Sequence, residues 1–156
     1  MYKRQDEGFG VVVDSSNHAY ISGVTDSSDF PTNGTVAAHQ TTPLNTISSA
    51  FVSEVDTTAG TLLYSSYLGG SGGSGFGDFG TGIDLQSGTT VAYVTGVTNS
   101  PTDFGPPTAG AYQTTGDGTN GSGFVTLTDT SKGTLTYSTY LGSLGVTCLL
   151  YTSRCV

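Results

Sequence analysis

The chain has little of what nucleic-acid-binding or membrane-spanning proteins need. Among its 156 residues there is no Trp, and only 4 residues are basic. Affinity for nucleic acid depends on Lys and Arg that displace counterions from phosphates, so 12 acidic residues and a net charge of -8 argue against a phosphate-binding surface. An anionic membrane would repel the same charge. No run approaches the roughly 20 apolar residues that span a bilayer, so we expect no membrane insertion.

The residues that are abundant favour β-structure. The chain has 24 Gly, many Ser and Thr, 9 Tyr and 7 Phe, while only 35% of its residues are hydrophobic and 10% are charged. Aromatic and β-branched residues among polar turn formers are typical of short, half-buried strands. We therefore expect an all-β protein rather than a helical bundle.

The two ends of the chain differ from the rest. Met1 to Gln5 contains two of the four basic residues, and Cys148 to Val156 contains a third and both cysteines. Both segments resemble translations of the transposase recognition sequence used in sequencing libraries. We expect residues 1–5 and 148–156 to be adapter artefact and leave them out of the fold prediction. The alternative is that residues 149–151 form a strand and that Cys148 and Cys155 form a disulfide.

An internal repeat organises the remainder. Tyr20, Gly23 and Thr25 recur 73 residues later as Tyr93, Gly96 and Thr98. Further matches are Gln40-Thr41-Thr42 with Gln113-Thr114-Thr115, Phe51-Val52 with Phe124-Val125, and Tyr64 to Gly69 with Tyr137 to Gly142. Only the start of the unit drifts: Asp14 matches Asp84, 70 residues on, which predicts a small insertion at residues 88–91.

Each copy contains four strand-like runs bounded by turn residues. They are residues 9–14, 19–25, 50–56 and 61–69 in the first copy, and 79–85, 91–98, 123–129 and 134–142 in the second. The fourth run carries large residues on both faces, which predicts packing on both sides. Four short antiparallel strands per repeat describe a propeller blade. The prediction is an all-β propeller fragment of about two four-stranded antiparallel blades, at residues 6–77 and 78–147.

Several runs carry a family resemblance. Asp26 to Pro31, Ala50 to Val52 and Leu63 to Gly70 resemble the bacterial repeat called SBBP, for seven-bladed β-propeller. The second copy is similar at Tyr93 to Gly96, Gly110 to Thr114 and Tyr137 to Gly142, and it departs from the pattern at Thr89-Thr90 and at Gly105. The resemblance covers nearly all of residues 8–145. It implies a large, repetitive, exported or surface-associated bacterial protein, and it transfers no catalytic residue or cofactor.

Glycine-rich and acidic motifs give weaker signals. The connector at residues 69–82 fits GxGxxG twice, but a dinucleotide site needs a following helix and a strand is predicted instead. The candidate calcium ligands are Asp26, Asp29, Asp78 and Asp103. Capping of Asx turns is the favoured role for the loop aspartates, because their positions are repeated. His18 and His39 lack a metal-ligand partner in the sequence, which favours solvent-exposed side chains.

Two long loops are the best candidates for binding. Residues 26–49 and 99–122 each exceed the usual loop length, and long loops on a rigid scaffold often carry function. The candidate binding residues are Asp29, Phe30, His39, Asp103, Phe104 and Tyr112. We interpret the tyrosines of the last strands, Tyr64, Tyr67, Tyr137 and Tyr140, as packing residues.

These features predict a non-enzymatic scaffold. Propellers use about four to eight blades, so we expect a fragment of a larger extracellular or cell-surface protein whose partners are further blades of the same parent chain. Its loops would bind a glycan or protein ligand, and no cofactor is needed. One alternative is a fragment of a propeller-based carbohydrate-active enzyme whose catalytic residues lie in missing blades. A structural spacer is a third reading.

Overall fold

The computed structural model describes residues 5–72, 75–105 and 107–142. The residues expected to be adapter sequence, apart from Gln5, lie outside these ranges, as does the alternative Cys148–Cys155 pair. Within the described ranges all regular structure is β, and no helix is present that could cross a membrane. The strands are β1 Asp6–Val13, β2 His18–Thr25, β3 Ser49–Asp56, β4 Thr61–Leu68, β5 Phe79–Leu85, β6 Val91–Thr98, β7 Ser122–Asp129 and β8 Thr134–Leu141.

The strands form two four-stranded antiparallel sheets. The first sheet has the order β1-β2-β3-β4 and the second the order β5-β6-β7-β8. The prediction of an all-β fold with two four-stranded, blade-like units is confirmed. The strand bounds also agree closely with the predicted ones, and the largest difference is that β1 begins at Asp6 rather than Phe9.

A β-bulge is repeated in the first strand of each sheet. The register shifts between Gly8 and Gly10 in β1, opposite Gly23, and at the counterpart position in β5, opposite Gly96. A Cβ on Gly23 would lie 1.9 Å from the Glu7 carbonyl oxygen. The glycine of the repeated Tyr-x-x-Gly-x-Thr motif is therefore needed because the bulged strand passes directly over it.

The register corrects one match made from the sequence. Val12 lies opposite Tyr20, and Asp84 lies opposite Tyr93, so Asp84 is the counterpart of Val12 and not of Asp14. The counterpart of Asp14 is the turn residue Gln86. The Asp14 amide bonds the His18 carbonyl at 3.0 Å, and the Gln86 amide bonds the Val91 carbonyl at 2.9 Å. The insertion in the second copy is therefore a single residue in the turn at 86–90, and the matching of Asp14 to Asp84 was wrong.

Alternation along the strands gives each sheet two faces. The front face of the first sheet carries Tyr20, Val52, Tyr64 and Leu68, and its back face carries Ile21, Phe51 and Tyr67. In the second sheet the front face carries Tyr93, Val125, Tyr137 and Leu141, and the back face Val94, Phe124 and Tyr140. Tyr64 and Tyr67 are both fully buried, so the predicted packing of the fourth strand on both sides is confirmed.

The front face of the first sheet packs on the back face of the second. Its residues Tyr20, Val52, Tyr64 and Leu68 share one apolar cluster with Ala92, Val94, Phe104, Phe124 and Tyr140 of the second unit. β5 lies against β1, β2 and β3. The closest approach is at Gly10, where an added Cβ would lie 3.1 Å from Ile83 Cγ2. The hydrophobic core of the described chain therefore lies between the two sheets.

Candidate binding site at the long-loop end

Both long loops bond to the outer strand of their own sheet. In the first unit the Val36 amide bonds the Leu63 carbonyl at 2.9 Å, and the Tyr67 amide bonds the Gln40 carbonyl at 3.1 Å. In the second unit the Tyr140 amide bonds the Gln113 carbonyl, also at 3.1 Å. The loops thus cover backbone groups along the outer edges of β4 and β8, which would otherwise be open to pairing with another strand.

A tyrosine and a phenylalanine fix the start of each loop. The Tyr67 hydroxyl donates to the Ser27 carbonyl at 2.7 Å and accepts from the Phe30 amide at 3.0 Å. The Phe30 ring packs on Phe51 with centroids 4.5 Å apart. This arrangement holds the first turn of the loop against the back face of the first sheet.

The second unit repeats this arrangement between the sheets. The Tyr140 hydroxyl donates to the Ser100 carbonyl at 2.8 Å and accepts from the Phe104 amide at 3.1 Å. The rings of Phe104 and Phe124 are 4.1 Å apart. Phe30 is only half-buried, whereas Phe104 is 1% exposed because the first sheet covers it. Of the candidate binding residues, Phe104 is therefore inaccessible to a ligand.

The other candidate binding residues differ in exposure. Asp29 and His39 are exposed, Asp103 is half-buried, and Tyr112 is the most exposed large side chain at 82%. His39 and Tyr112 occupy counterpart positions, since each directly precedes the glutamine whose carbonyl bonds the outer strand. Each loop therefore presents one exposed side chain, different in the two copies, beside a repeated backbone anchor.

The four candidate calcium ligands do not form a metal site. Asp26 and Asp29 are exposed, whereas Asp78 and Asp103 contact the linker between the sheets. In the described part of the chain no group of three or more His, Cys, Asp or Glu side chains could hold a metal ion. Asp103 Oδ2 instead accepts from the Ser71 amide at 2.9 Å, which ties the second loop to the linker.

Asp78 is a fully buried carboxylate that joins the linker to the second loop. Its Oδ1 accepts from Thr98 Oγ1 at 2.6 Å and from the Asn99 amide at 3.2 Å, and its Oδ2 accepts from the Gly70 amide at 3.1 Å. Ser100 Oγ lies 3.2 Å from both oxygens. Burial raises the pKa of Asp78, and these four donors oppose that shift. Its place in the fold is therefore structural.

The sequence analysis missed the counterpart of Asp78. Asp6 stands 72 residues before it and accepts from the hydroxyls of Thr25 and Ser27, as Asp78 accepts from those of Thr98 and Ser100. The signal was present in the sequence, because Asp, Thr and Ser recur together with the spacing of the repeat. It was overlooked because Asp6 adjoins the segment that was set aside as adapter sequence.

A second buried carboxylate lies at the opposite end of the sheets. Glu54 Oε1 accepts from the Tyr20 hydroxyl at 3.0 Å and lies 3.1 Å from His18 Nδ1. Asp14 Oδ2 is 3.3 Å from the same nitrogen. Burial and the neighbouring Glu54 raise the pKa of Tyr20. The sequence favoured a solvent-exposed His18, but the structure places it partly buried between two carboxylates.

The second copy does not repeat this group. It has Gln86, Val91 and Leu127 at the counterpart positions of Asp14, His18 and Glu54. The front face of the second sheet is consequently more apolar than that of the first.

The fold and loops define an all-β protein of two stacked, blade-like sheets whose outer edges are covered by their own loops. A comparison with protein-family models found no match, and neither did a search of curated proteins. The resemblance to the SBBP repeat therefore stays a prediction.

Proposed function

We propose that the chain is a non-enzymatic scaffold within a larger bacterial surface or secreted protein, and that its long loops bind a glycan or protein ligand. The observation that carries this proposal is the pair of counterpart loop positions, His39 and Tyr112. Both are exposed, and both adjoin an anchor that the two copies share.

Constant anchors beside a variable side chain suit binding better than packing. Gln40 and Gln113 bond the outer strands in the same way, whereas the residues before them differ in size and chemistry. A packing role would favour similar side chains at both positions. Tyr112 offers an aromatic face with a polar hydroxyl, the combination that contacts sugar rings and protein surfaces well.

The buried ionisable groups of the described residues serve the framework. Asp78 holds the linker, and Glu54 receives Tyr20 and His18. The alternative function, a fragment of a carbohydrate-active enzyme, places catalysis in other blades of the parent. It makes a different prediction about soluble polysaccharides, namely that they are cleaved.

Binding and turnover can be measured together on one panel. The full chain is incubated with xylan, pectin, cellulose oligosaccharides and chitin oligosaccharides, and both retention and released reducing ends are measured. We expect retention without release. Tyr112→Ala should weaken binding about tenfold or more, because an aromatic anchor typically contributes more than about 1.4 kcal/mol. Thr58→Ala, in the β3–β4 turn at the opposite end, should bind like the parent chain.

Two results would count against the proposal. Release of reducing ends would favour the enzymatic alternative. Equal binding by the parent chain and Tyr112→Ala would remove the loop from the binding surface.

A further inference from the structure

Counterpart residues on the two front faces differ sharply in exposure. Tyr20 and Leu68 of the first sheet are 0% and 1% exposed, whereas their counterparts Tyr93 and Leu141 are 40% and 37% exposed. The side chains are of the same type in each pair. The difference arises because the second sheet covers the front face of the first, and nothing in the described chain covers its own front face.

The back faces show the reverse difference. Val11 and Val13 in β1 are 66% and 56% exposed. The register makes Ile83 and Leu85 their counterparts in β5, and both of these pack against the core between the sheets. The exposed back face of the first sheet is thus the counterpart of a face that the chain already buries.

We propose that a second copy of this chain binds head-to-tail, with the back face of its first sheet on the front face of the second sheet. This proposal rests on the scaffold function proposed above. The contact would repeat the one inside the chain, with Tyr93 in the place of Tyr20 and Val11 in the place of Ile83. Because the two surfaces differ, the contact is heterologous and leaves one further face free at each end.

The front face of the second sheet retains the space that this contact requires. Inside the chain, Ile83 lies against Gly10, where an added Cβ would be 3.1 Å from its Cγ2. The counterpart of Gly10 is Gly82, which is also a glycine and faces the same way beside Thr95. Val11 of a second copy is smaller than Ile83, so it fits where Ile83 would fit.

The chemistry of the exposed front face also favours a copy of this chain. Leu127 lies where the first sheet has Glu54, so association there does not bury a carboxylate. An apolar face of this kind gains from removal from water at about 25 cal/mol per Å². The net charge of -8 makes copies repel one another, and salt screens that repulsion. Association should therefore strengthen as ionic strength rises.

The test uses two variants that each block one surface. Tyr93→Glu with Leu141→Glu blocks the front face of the second sheet, and Val11→Glu with Val13→Glu blocks the back face of the first. All four positions are exposed, so the variants should fold, which circular dichroism checks. Sedimentation is measured with a reducing agent present, to keep Cys148 and Cys155 as thiols. Tyr112→Glu, at an exposed aromatic outside both faces, is the matched control.

We expect the parent chain and Tyr112→Glu to form a concentration-dependent series that extends beyond the dimer. Each blocked variant alone should be monomeric. An equimolar mixture of the two should form a 1:1 dimer and nothing larger, because only one pair of unblocked surfaces remains.

Three results would overturn the proposal: a parent chain that stays monomeric in high salt, a blocked variant that associates alone, or a mixture that stays monomeric. Each of these would leave the scaffold function standing if polysaccharide retention is still observed. Release of reducing ends would instead reject the scaffold function, whatever the assembly state.

Discussion

Gly23→Ala is expected to lower the free energy of unfolding by about 3 kcal/mol or more, at the upper end of overpacking effects. The new methyl group would lie 1.9 Å from the Glu7 carbonyl oxygen and 2.8 Å from a Phe51 ring carbon. Neither can move easily, since the oxygen belongs to the bulged strand and the ring is buried. Urea unfolding followed by circular dichroism measures the change.

Gly8→Ala is the matched control for that substitution. Gly8 pairs with Gly23, but a Cβ there would meet only Ile21 Cγ2, at an ordinary 3.4 Å. Its stability should stay within about 1 kcal/mol of the parent chain. Gly96→Ala should be as damaging as Gly23→Ala, because its Cβ would lie 1.8 Å from the Phe79 carbonyl oxygen. A Gly23→Ala variant as stable as Gly8→Ala would show that the bulge is misplaced.

Asp78→Ala is the second substitution with a large expected effect. It leaves two backbone amides, of Gly70 and Asn99, and two hydroxyls without their acceptor in a fully buried place. Each buried donor left unpaired costs about 1–3 kcal/mol, so we expect a loss of about 3 kcal/mol or more. Chemical denaturation provides the measurement, and a loss below about 1 kcal/mol would contradict the hydrogen-bond network.

Asp6→Ala is the repeat-matched control. Asp6 accepts from the counterpart hydroxyls of Thr25 and Ser27 but is itself exposed, so water replaces the lost acceptor. Its effect should be clearly smaller than that of Asp78→Ala.

Asp78→Asn tests the same network through pH. Burial raises the pKa of Asp78, so the folded chain holds this proton more tightly than the unfolded chain does. The contribution of Asp78 to stability is therefore greatest at acid pH, and it falls as pH rises from about 4 through the raised pKa. The parent chain should lose stability relative to Asp78→Asn over that interval. A stability difference that does not vary with pH would mean that the pKa is not raised.

The strands could be predicted because their signals are local and occur twice. Turn residues bound each run, and the recurrence of Tyr20, Gly23 and Thr25 as Tyr93, Gly96 and Thr98 sets the period of the repeat. The register at the start of the repeat could not be found in that way. Two aspartates, Asp14 and Asp84, matched by type although one is a turn residue and the other a strand residue.

The loops were harder to predict, because backbone groups make most of their contacts with the outer strands. The bonds from Val36 to Leu63 and from Gln113 to Tyr140 leave no side-chain signature in the sequence. The sequence also gives Phe30 and Phe104 the same apparent role. Only the stacking of the sheets makes one half-buried and the other inaccessible.

Stacking of the first sheet on the second is the central claim, and a cross-link tests it most directly. A Cβ on Gly80 would lie 3.4 Å from Ser22 Cβ, close to the spacing of a disulfide. Ser22 Oγ has no hydrogen-bond partner among the described residues, so Ser22→Cys breaks no bond. The pair Ser22→Cys and Gly80→Cys is made with Cys148 and Cys155 replaced by Ser, and Val13→Cys with Tyr93→Cys, on the two outward faces, is the control.

After mild oxidation at low protein concentration, we predict that the Ser22 and Gly80 cysteine variant has no free thiol and remains a monomer. Its melting temperature should rise, because the link closes a long loop. The control pair should keep both thiols. Free thiols at positions 22 and 80 in a folded chain would contradict the stacking of the two sheets.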